Sequence, residues 1–147
     1  MIFTSVNIKS FRVMSLKVNQ FPEDFHSTYL NVSNKVVNEE QRKVFGMLYF
    51  DKDPVRYSIC VEQKKKDNPD KFGFNSILLP GGNYAKTSLI NWESKLDSLK
   101  QVFDELKIKF LLDDSRPQIE EFKSKREMII YFPIRKREEQ LSLPLFN

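Results

Sequence analysis

The sequence of 147 residues predicts an α+β fold in which two strand-helix-strand-strand units form one antiparallel sheet. First, large apolar side chains spaced by three or four positions between residues 92 and 110 predict an amphipathic helix that covers a sheet. Second, runs rich in β-branched and aromatic residues flank this helix and predict strands. Third, the first half of the chain repeats this order of elements without obvious sequence identity. We therefore expect both helices on one face and a cleft between the halves.

The first unit begins with a predicted strand over residues 6–18, which Phe21-Pro22 ends. A helix is expected next, because four apolar residues follow at helical spacing: Phe25, Tyr29, Val32 and Val36. Two strands over residues 43–50 and 56–63 complete the unit. They are joined through Asp51-Lys52-Asp53-Pro54, whose composition favours a turn.

The second unit follows a polar loop at about residues 62–74 and begins with a predicted strand over residues 77–88, entered through a Pro-Gly-Gly turn. Asn91 is the expected N-cap of its helix, since asparagine is a preferred capping residue. The apolar stripe of this helix comprises Trp92, Leu96, Leu99, Phe103, Leu106 and Phe110. Strands over residues 118–124 and 128–134 are expected after it.

Composition indicates one domain of ordinary size, with 40% hydrophobic and 13% aromatic residues to form its core. The sequence shows neither a membrane-spanning apolar run nor a signal peptide, and we expect a cytoplasmic protein without a membrane partner. The single cysteine, Cys60, and single histidine, His26, cannot supply a disulfide or the usual zinc spacings. No metal or cofactor is predicted, and Cys60 is expected to be buried and inert.

Charge is mixed, with 24 basic and 20 acidic residues giving a net charge of +4. The one dense basic run, Lys64-Lys65-Lys66, lies beside acidic and turn-forming residues and is interpreted first as a solvated loop. Contact with phosphate is the alternative. Direct nucleic-acid binding is not expected, because no DNA-binding motif accompanies the run.

Several segments resemble one known family. They are Leu-Pro-Gly-Gly-Asn-Tyr-Ala at 79–85, Pro-Gln-Ile-Glu-Glu-Phe at 117–122, Ile-Tyr-Phe-Pro-Ile at 130–134, and the hairpin at 45–61 with its Gly, Asp-Pro and Arg-Tyr. Together they resemble the bacterial GyrI-like small-molecule-binding family, which is similar to the effector-binding domains of AraC-type and MerR-type transcription regulators. Two positions depart from its pattern, since Ile119 replaces an aromatic residue and Phe122 replaces a tyrosine.

The resemblance implies a binding site for a cationic or amphipathic organic molecule, because Glu120 falls on the acid of the family. In a strand, alternation places Glu120 and Phe122 on one face and Glu121 on the other. A carboxylate among aromatic rings suits an organic cation. The expected ligand-binding residues are Glu120, Tyr57, Tyr49, Tyr84, Trp92, Phe122 and Tyr131. From spacing alone, the alternative is that these aromatic residues are ordinary core and Glu120 lies on the surface.

No catalytic residue is predicted, because one His and one Cys complete no recognisable catalytic set. Some GyrI-like proteins resemble hydrolases, and the alternative is therefore an enzyme that uses a Glu and a Tyr to open a reactive electrophile. A gyrase-inhibitor-like or replication-associated interaction module is a further alternative.

The last eleven residues differ from the expected domain at 1–136. A charged spacer begins at residue 137, and the peptide after it resembles the sliding-clamp-binding motif of bacteria. Its expected partner-binding residues are Gln140, Leu141, Leu143, Leu145 and Phe146. The DNA polymerase sliding clamp is therefore a candidate partner, and packing of the tail on its own domain is the alternative.

Overall fold

The computed structural model describes residues 2–20, 23–36, 42–49, 56–92, 99–124 and 126–135. The predicted tail, the turn at 51–54, and Leu96 of the helical stripe lie outside these ranges. The elements are β1 (Thr4–Ile8), β2 (Phe11–Lys17), α1 (Phe25–Val36), β3 (Val44–Tyr49), β4 (Arg56–Glu62), α2 (Pro69–Phe72), β5 (Asn75–Leu79), β6 (Gly82–Ile90), α3 (Leu99–Lys109), β7 (Gln118–Phe122) and β8 (Glu127–Pro133).

All eight strands form one antiparallel sheet, in the order β1-β6-β8-β7-β3-β4-β2-β5. The first half of the chain supplies three neighbouring strands, β3, β4 and β2, and the second half supplies β6, β8 and β7. The edge strands are exchanged, since β1 lies beside β6 and β5 lies beside β2. The two halves meet where β3 pairs with β7, and the sheet curls about this seam. The predicted α+β fold with a repeated unit and a cleft-like curvature is confirmed.

Two predicted strands were wrong in length, because each is a pair of strands. The first predicted strand is interrupted at residues 9–10. The part before the interruption, β1, pairs with β6, and the part after it, β2, pairs with β4 and β5. The Pro-Gly-Gly turn likewise separates β5 from β6 instead of opening one strand, since Pro80 lacks an N–H and Gly82 has a φ of 138°. Each half therefore begins with an additional strand, which is donated to the other half.

The two long helices cover one face of the sheet. On α1, the predicted stripe packs as expected: Val32 and Val36 are buried, and Phe25 and Tyr29 contact the same cluster. On α3, Leu106 is buried as predicted, together with Val102 from outside the stripe. Asn91 has a φ of 56°, which is not the extended conformation of an N-cap, and residues 93–98 after it lie outside the described ranges.

The opposite face of the sheet carries a third apolar cluster, which includes Phe45, Met47, Cys60, Tyr84 and Ile119. We call this the inner face and the helix-covered side the helix face. Among the described residues, we find no helix with the length and apolar character needed to cross a bilayer.

Candidate functional site

The Glu120 carboxylate lies near the centre of the sheet, on the helix face of β7. Its cross-strand partner is Gly46 of β3, at the seam between the halves. Only 8% of the Glu120 surface is exposed. No cationic side chain among the described residues forms an ion pair with it, although a buried carboxylate normally has such a partner. Glu120 is thus a buried acid at the junction of two structural repeats.

Tyr57 is the hydrogen-bond partner of this acid, and its hydroxyl donates to the Glu120 carboxylate. Tyr57 belongs to β4, the next strand beyond β3, and its side chain crosses over β3 to reach β7. Gly46 makes this crossing possible, because a Cβ added there would overlap the Tyr57 hydroxyl. The hydrogen bond between Tyr57 and Glu120 therefore requires a glycine at position 46.

Aromatic rings from α1, from β7 and from Trp92, which follows β6, surround the pair. Phe122 lies two residues from Glu120 on the same face and contacts the apolar clusters of both halves. Ring centroids are 5.6 Å apart for Phe25 and Tyr57, 5.8 Å for Phe25 and Phe122, 5.7 Å for Tyr29 and Phe122, and 5.6 Å for Trp92 and Phe122. Except for buried Tyr57, these rings are half-buried and separate Glu120 from solvent.

The electrostatics follow from burial. Desolvation raises the pKa of Glu120 to about 7, although the hydrogen bond from Tyr57 opposes this shift. Burial, and next the adjacent Glu120, raise the pKa of Tyr57 well above its ordinary value, so the phenol keeps its proton. A carboxyl group with a pKa near neutrality can hold a cation when ionised or exchange a proton with a substrate.

Solved structures with this fold include proteins of different description. SAV2435, solved bound to tetraphenylphosphonium, is 12% identical, with a TM-score of 0.66 over 95% of this chain and 97% of its own. A Staphylococcus aureus MU50 protein described as a candidate for transcription regulation is 12% identical, with a TM-score of 0.61 over 92% and 99%. A hydrolase from Listeria innocua is 7% identical, with a TM-score of 0.58 over 90% and 91%.

At these identities the likeness establishes the fold. No protein-family model matches the sequence, and no curated protein matches it.

The structure brings four of the predicted ligand-binding residues together: Glu120, Tyr57, Phe122 and Trp92. It does not bring Tyr49, Tyr84 and Tyr131 to them, because these three rings lie on the inner face. There the Tyr131 hydroxyl donates to Glu121 at 3.0 Å, and the Arg116 guanidinium lies 4.7 Å from the Tyr84 ring. The expectation that all five aromatic side chains surround Glu120 was wrong for these three, since they occupy strand positions of the opposite parity.

Phe25 and Tyr29 were missed as site residues. Both belong to the apolar stripe of α1, and their rings stack at a centroid distance of 6.1 Å. The signal was present in the sequence, because two aromatic residues four positions apart face the same side of a helix. What the sequence did not show is that this side meets β7 at the seam.

The remaining residues that the sequence analysis considered lie away from Glu120 or are exposed. Cys60 is fully buried on the inner face, and burial raises its thiol pKa to about 12, which confirms the expectation of a buried cysteine. His26 is exposed on α1. Within the described residues, no group of three or more His, Cys, Asp or Glu side chains could hold a metal ion. The basic run at 64–66 is exposed, as expected of a solvated loop.

Proposed function

We propose that this protein is a GyrI-like binding module that takes up small organic cations on the helix face. The observation that carries the proposal is the buried Glu120 carboxylate, hydrogen-bonded by Tyr57 and enclosed by aromatic rings. An organic cation would supply the counter-charge that no described side chain provides, and the ring faces would stabilise it further. The fold shared with a protein solved bound to tetraphenylphosphonium supports this choice of ligand class.

Access to Glu120 requires the half-buried rings to move. Phe25, Tyr29, Trp92 and Phe122 pack in the space that a ligand would occupy, so part of the aromatic contact in the empty protein is exchanged for contact with the ligand. Flat or branched aromatic cations suit this exchange, because they replace the lost ring contacts as well as the missing charge.

Replacing Glu120 by glutamine is expected to weaken tetraphenylphosphonium binding by about 1 to 3 kcal/mol, roughly 5-fold to 150-fold. Glutamine keeps the shape and accepts the Tyr57 hydrogen bond but removes the charge. Quenching of Trp92 fluorescence, or calorimetry, measures the affinity. Glu121→Gln is the matched control, since it is the next residue of β7 and faces the inner side. Equal affinities for the wild type and Glu120→Gln, with both folded, would contradict the assignment.

The pH response gives the same experiment a second readout. Because the pKa of Glu120 is about 7 in the empty site, the carboxyl group is neutral at pH 5 and ionised at pH 8. Wild-type affinity for the cation should therefore rise with pH through neutrality, and that of Glu120→Gln should stay flat. A cation that binds equally well at both pH values is not held by this charge.

Hydrolysis of an electrophile is the second candidate function, favoured by the same hydrogen-bonded pair. An ionised Glu120 would take a proton from a water molecule as it attacks an epoxide carbon, and Tyr57 would donate its proton to the opening oxygen and then recover one from Glu120. Incubation with excess styrene oxide, followed by mass spectrometry of the diol, tests it. Turnover that is lost in both Glu120→Gln and Tyr57→Phe would favour the enzyme over the binding module.

We also propose that residues 140–146 tether the protein to the replication sliding clamp. This rests on the sequence motif, since the tail lies outside the described residues. A peptide that orders on docking loses chain entropy, and we expect an affinity on the order of micromolar concentrated in a few anchors. Combined Leu145→Ala and Phe146→Ala should abolish binding to purified clamp, and Glu120→Gln should leave it unchanged. Clamp binding that survives the double alanine change would exclude the motif.

A further inference from the structure

A cavity of about 480 Å³ lies on the inner face, on the opposite side of the sheet from Glu120. All eight strands contribute to its wall, including β1 and β5 from the two edges of the sheet. Both edges can border one cavity only because the sheet curls until they approach each other. Its volume lies within the range of small-molecule sites.

The exchange of β1 and β5 brings two linkers together beside this cavity, next to the lining residues Ile8, Phe11 and Leu79. The linkers that follow these two strands cross, and the Gly81 N–H donates to the Ser10 hydroxyl at 2.8 Å. Gly81 packs so closely on the Ile8 carbonyl that a Cβ at this position would overlap it. The strands that border the cavity are therefore linked through the exchange between the two repeats.

The cavity has an apolar wall with charged groups beside it. Phe11 and Phe45 contact each other with ring centroids 5.7 Å apart, and Leu79 and Ile119 are fully buried next to them. Such a wall favours a ligand with an apolar body, since contact with it removes apolar surface from water.

The charged groups leave an excess of positive charge. The buried Glu121 carboxylate accepts the Tyr131 hydroxyl and lies 3.7 Å from the Lys123 ammonium, so its charge is compensated. Glu62 accepts the backbone N–H of Lys43 at 3.2 Å. Among the described residues, no ion pair engages the ammonium groups of Lys43 and Lys86, which both line the cavity. The lining itself holds two ammonium and two carboxylate groups, and the excess comes from Lys123, which lies outside the lining and compensates Glu121.

We propose that this cavity is a second binding site, for an amphipathic monoanion whose apolar body lies against the phenylalanines and whose acidic group meets Lys43 and Lys86. The ligand class is a small aromatic or medium-chain carboxylate or sulfonate. The two faces of β7 then favour ligands of opposite charge. Glu120 offers an uncompensated negative charge on the helix face, and the inner face, with Glu121 already compensated, offers net positive charge.

The test uses the full chain and 1-anilinonaphthalene-8-sulfonate, an amphipathic anion that becomes fluorescent in apolar surroundings. We expect binding of one equivalent, displaced by dodecanoate. The combined Lys43→Gln and Lys86→Gln variant should bind about tenfold more weakly, because two attractive charges at a partly dry site are lost. Lys65→Gln with Lys71→Gln is the matched control, with the same change of net charge at exposed positions outside the cavity.

Three other outcomes of the dye titration would contradict the proposal. Equal loss in the control pair would mean that only net charge matters. Displacement of the dye by tetraphenylphosphonium, or its loss in Glu120→Gln, would place the dye on the helix face. A large gain of dye affinity in Leu145→Ala with Phe146→Ala would make the tail of the chain the natural occupant. Because these variants differ from those that test Glu120, either site can fail without the other.

Discussion

Replacing Gly46 by alanine is expected to destabilise the protein by about 3 kcal/mol, at the upper end of the range for an overpacked core. The added methyl group would overlap the Tyr57 hydroxyl. Tyr57 has only 1% of its surface exposed, and the Phe25 ring packs against its edge, so the phenol has no free space into which it can turn. Its displacement would also remove the hydrogen bond to Glu120. Urea denaturation measures the stability, and loss of tetraphenylphosphonium binding should accompany the change.

Two further variants separate this mechanism from a general intolerance of alanine. Gly73→Ala should cost about 1 kcal/mol and leave cation binding intact, since Gly73 has a φ of 76° but no atom within 4 Å of the added Cβ. Gly46→Ala should be less harmful when Tyr57 is also replaced by phenylalanine, because the hydroxyl oxygen is the nearest atom. Additive effects of Gly46→Ala and Tyr57→Phe would show that overlap with the hydroxyl is not the cause.

The sequence was sufficient to predict the two long helices and most strands because each has its own periodicity, whereas α2 lies in the segment predicted as a polar loop. The apolar spacing of α1 and the alternation in β7 are local signals, and the latter places Glu120 and Phe122 on the same face of the sheet. The additional strands β1 and β5 were missed because their partners are distant in sequence. No local pattern within residues 6–18 indicates that the two parts of this segment pair with different strands. The first part pairs with β6, and the second part pairs with β4 and β5.

The grouping of the candidate-site residues could be predicted from alternation only within a single strand. Alternation shows which residues of one strand share a face of the sheet. Deciding whether residues of two different strands share a face also requires the register in which the strands pair. Ile119 is the cross-strand partner of Tyr131, so both side chains point away from Glu120. The Tyr57 contact was available only from the resemblance, because its side chain crosses from β4 over β3 to β7. The Glu120 motif was informative since it marks the central strand, where the two repeats join.

The free energy of unfolding of the ligand-free protein should fall as the pH rises, because the Glu120 carboxylate is buried without a cationic partner among the described residues. Its pKa is about 7 in the folded protein, against an ordinary value of 4.5. Between these values the folded state retains a proton that the unfolded chain releases, so a rise in pH favours unfolding by about 1.4 kcal/mol per unit and by about 3 kcal/mol in all. This loss is absent below pH 4.5 and complete above pH 7.

The Glu120→Gln variant cannot ionise and should therefore be more stable than the wild type at pH 8, by up to about 3 kcal/mol, and about equally stable at pH 4.5. Urea denaturation at both pH values measures the difference. Glu121→Gln should show no such gain, because the Glu121 carboxylate has Tyr131 and Lys123 as partners. A Glu120→Gln protein that is less stable than the wild type at pH 8 would show that Glu120 is a structural acid. A gain in stability with a loss of cation binding is the result expected if the buried carboxylate destabilises the empty fold and is used by the ligand.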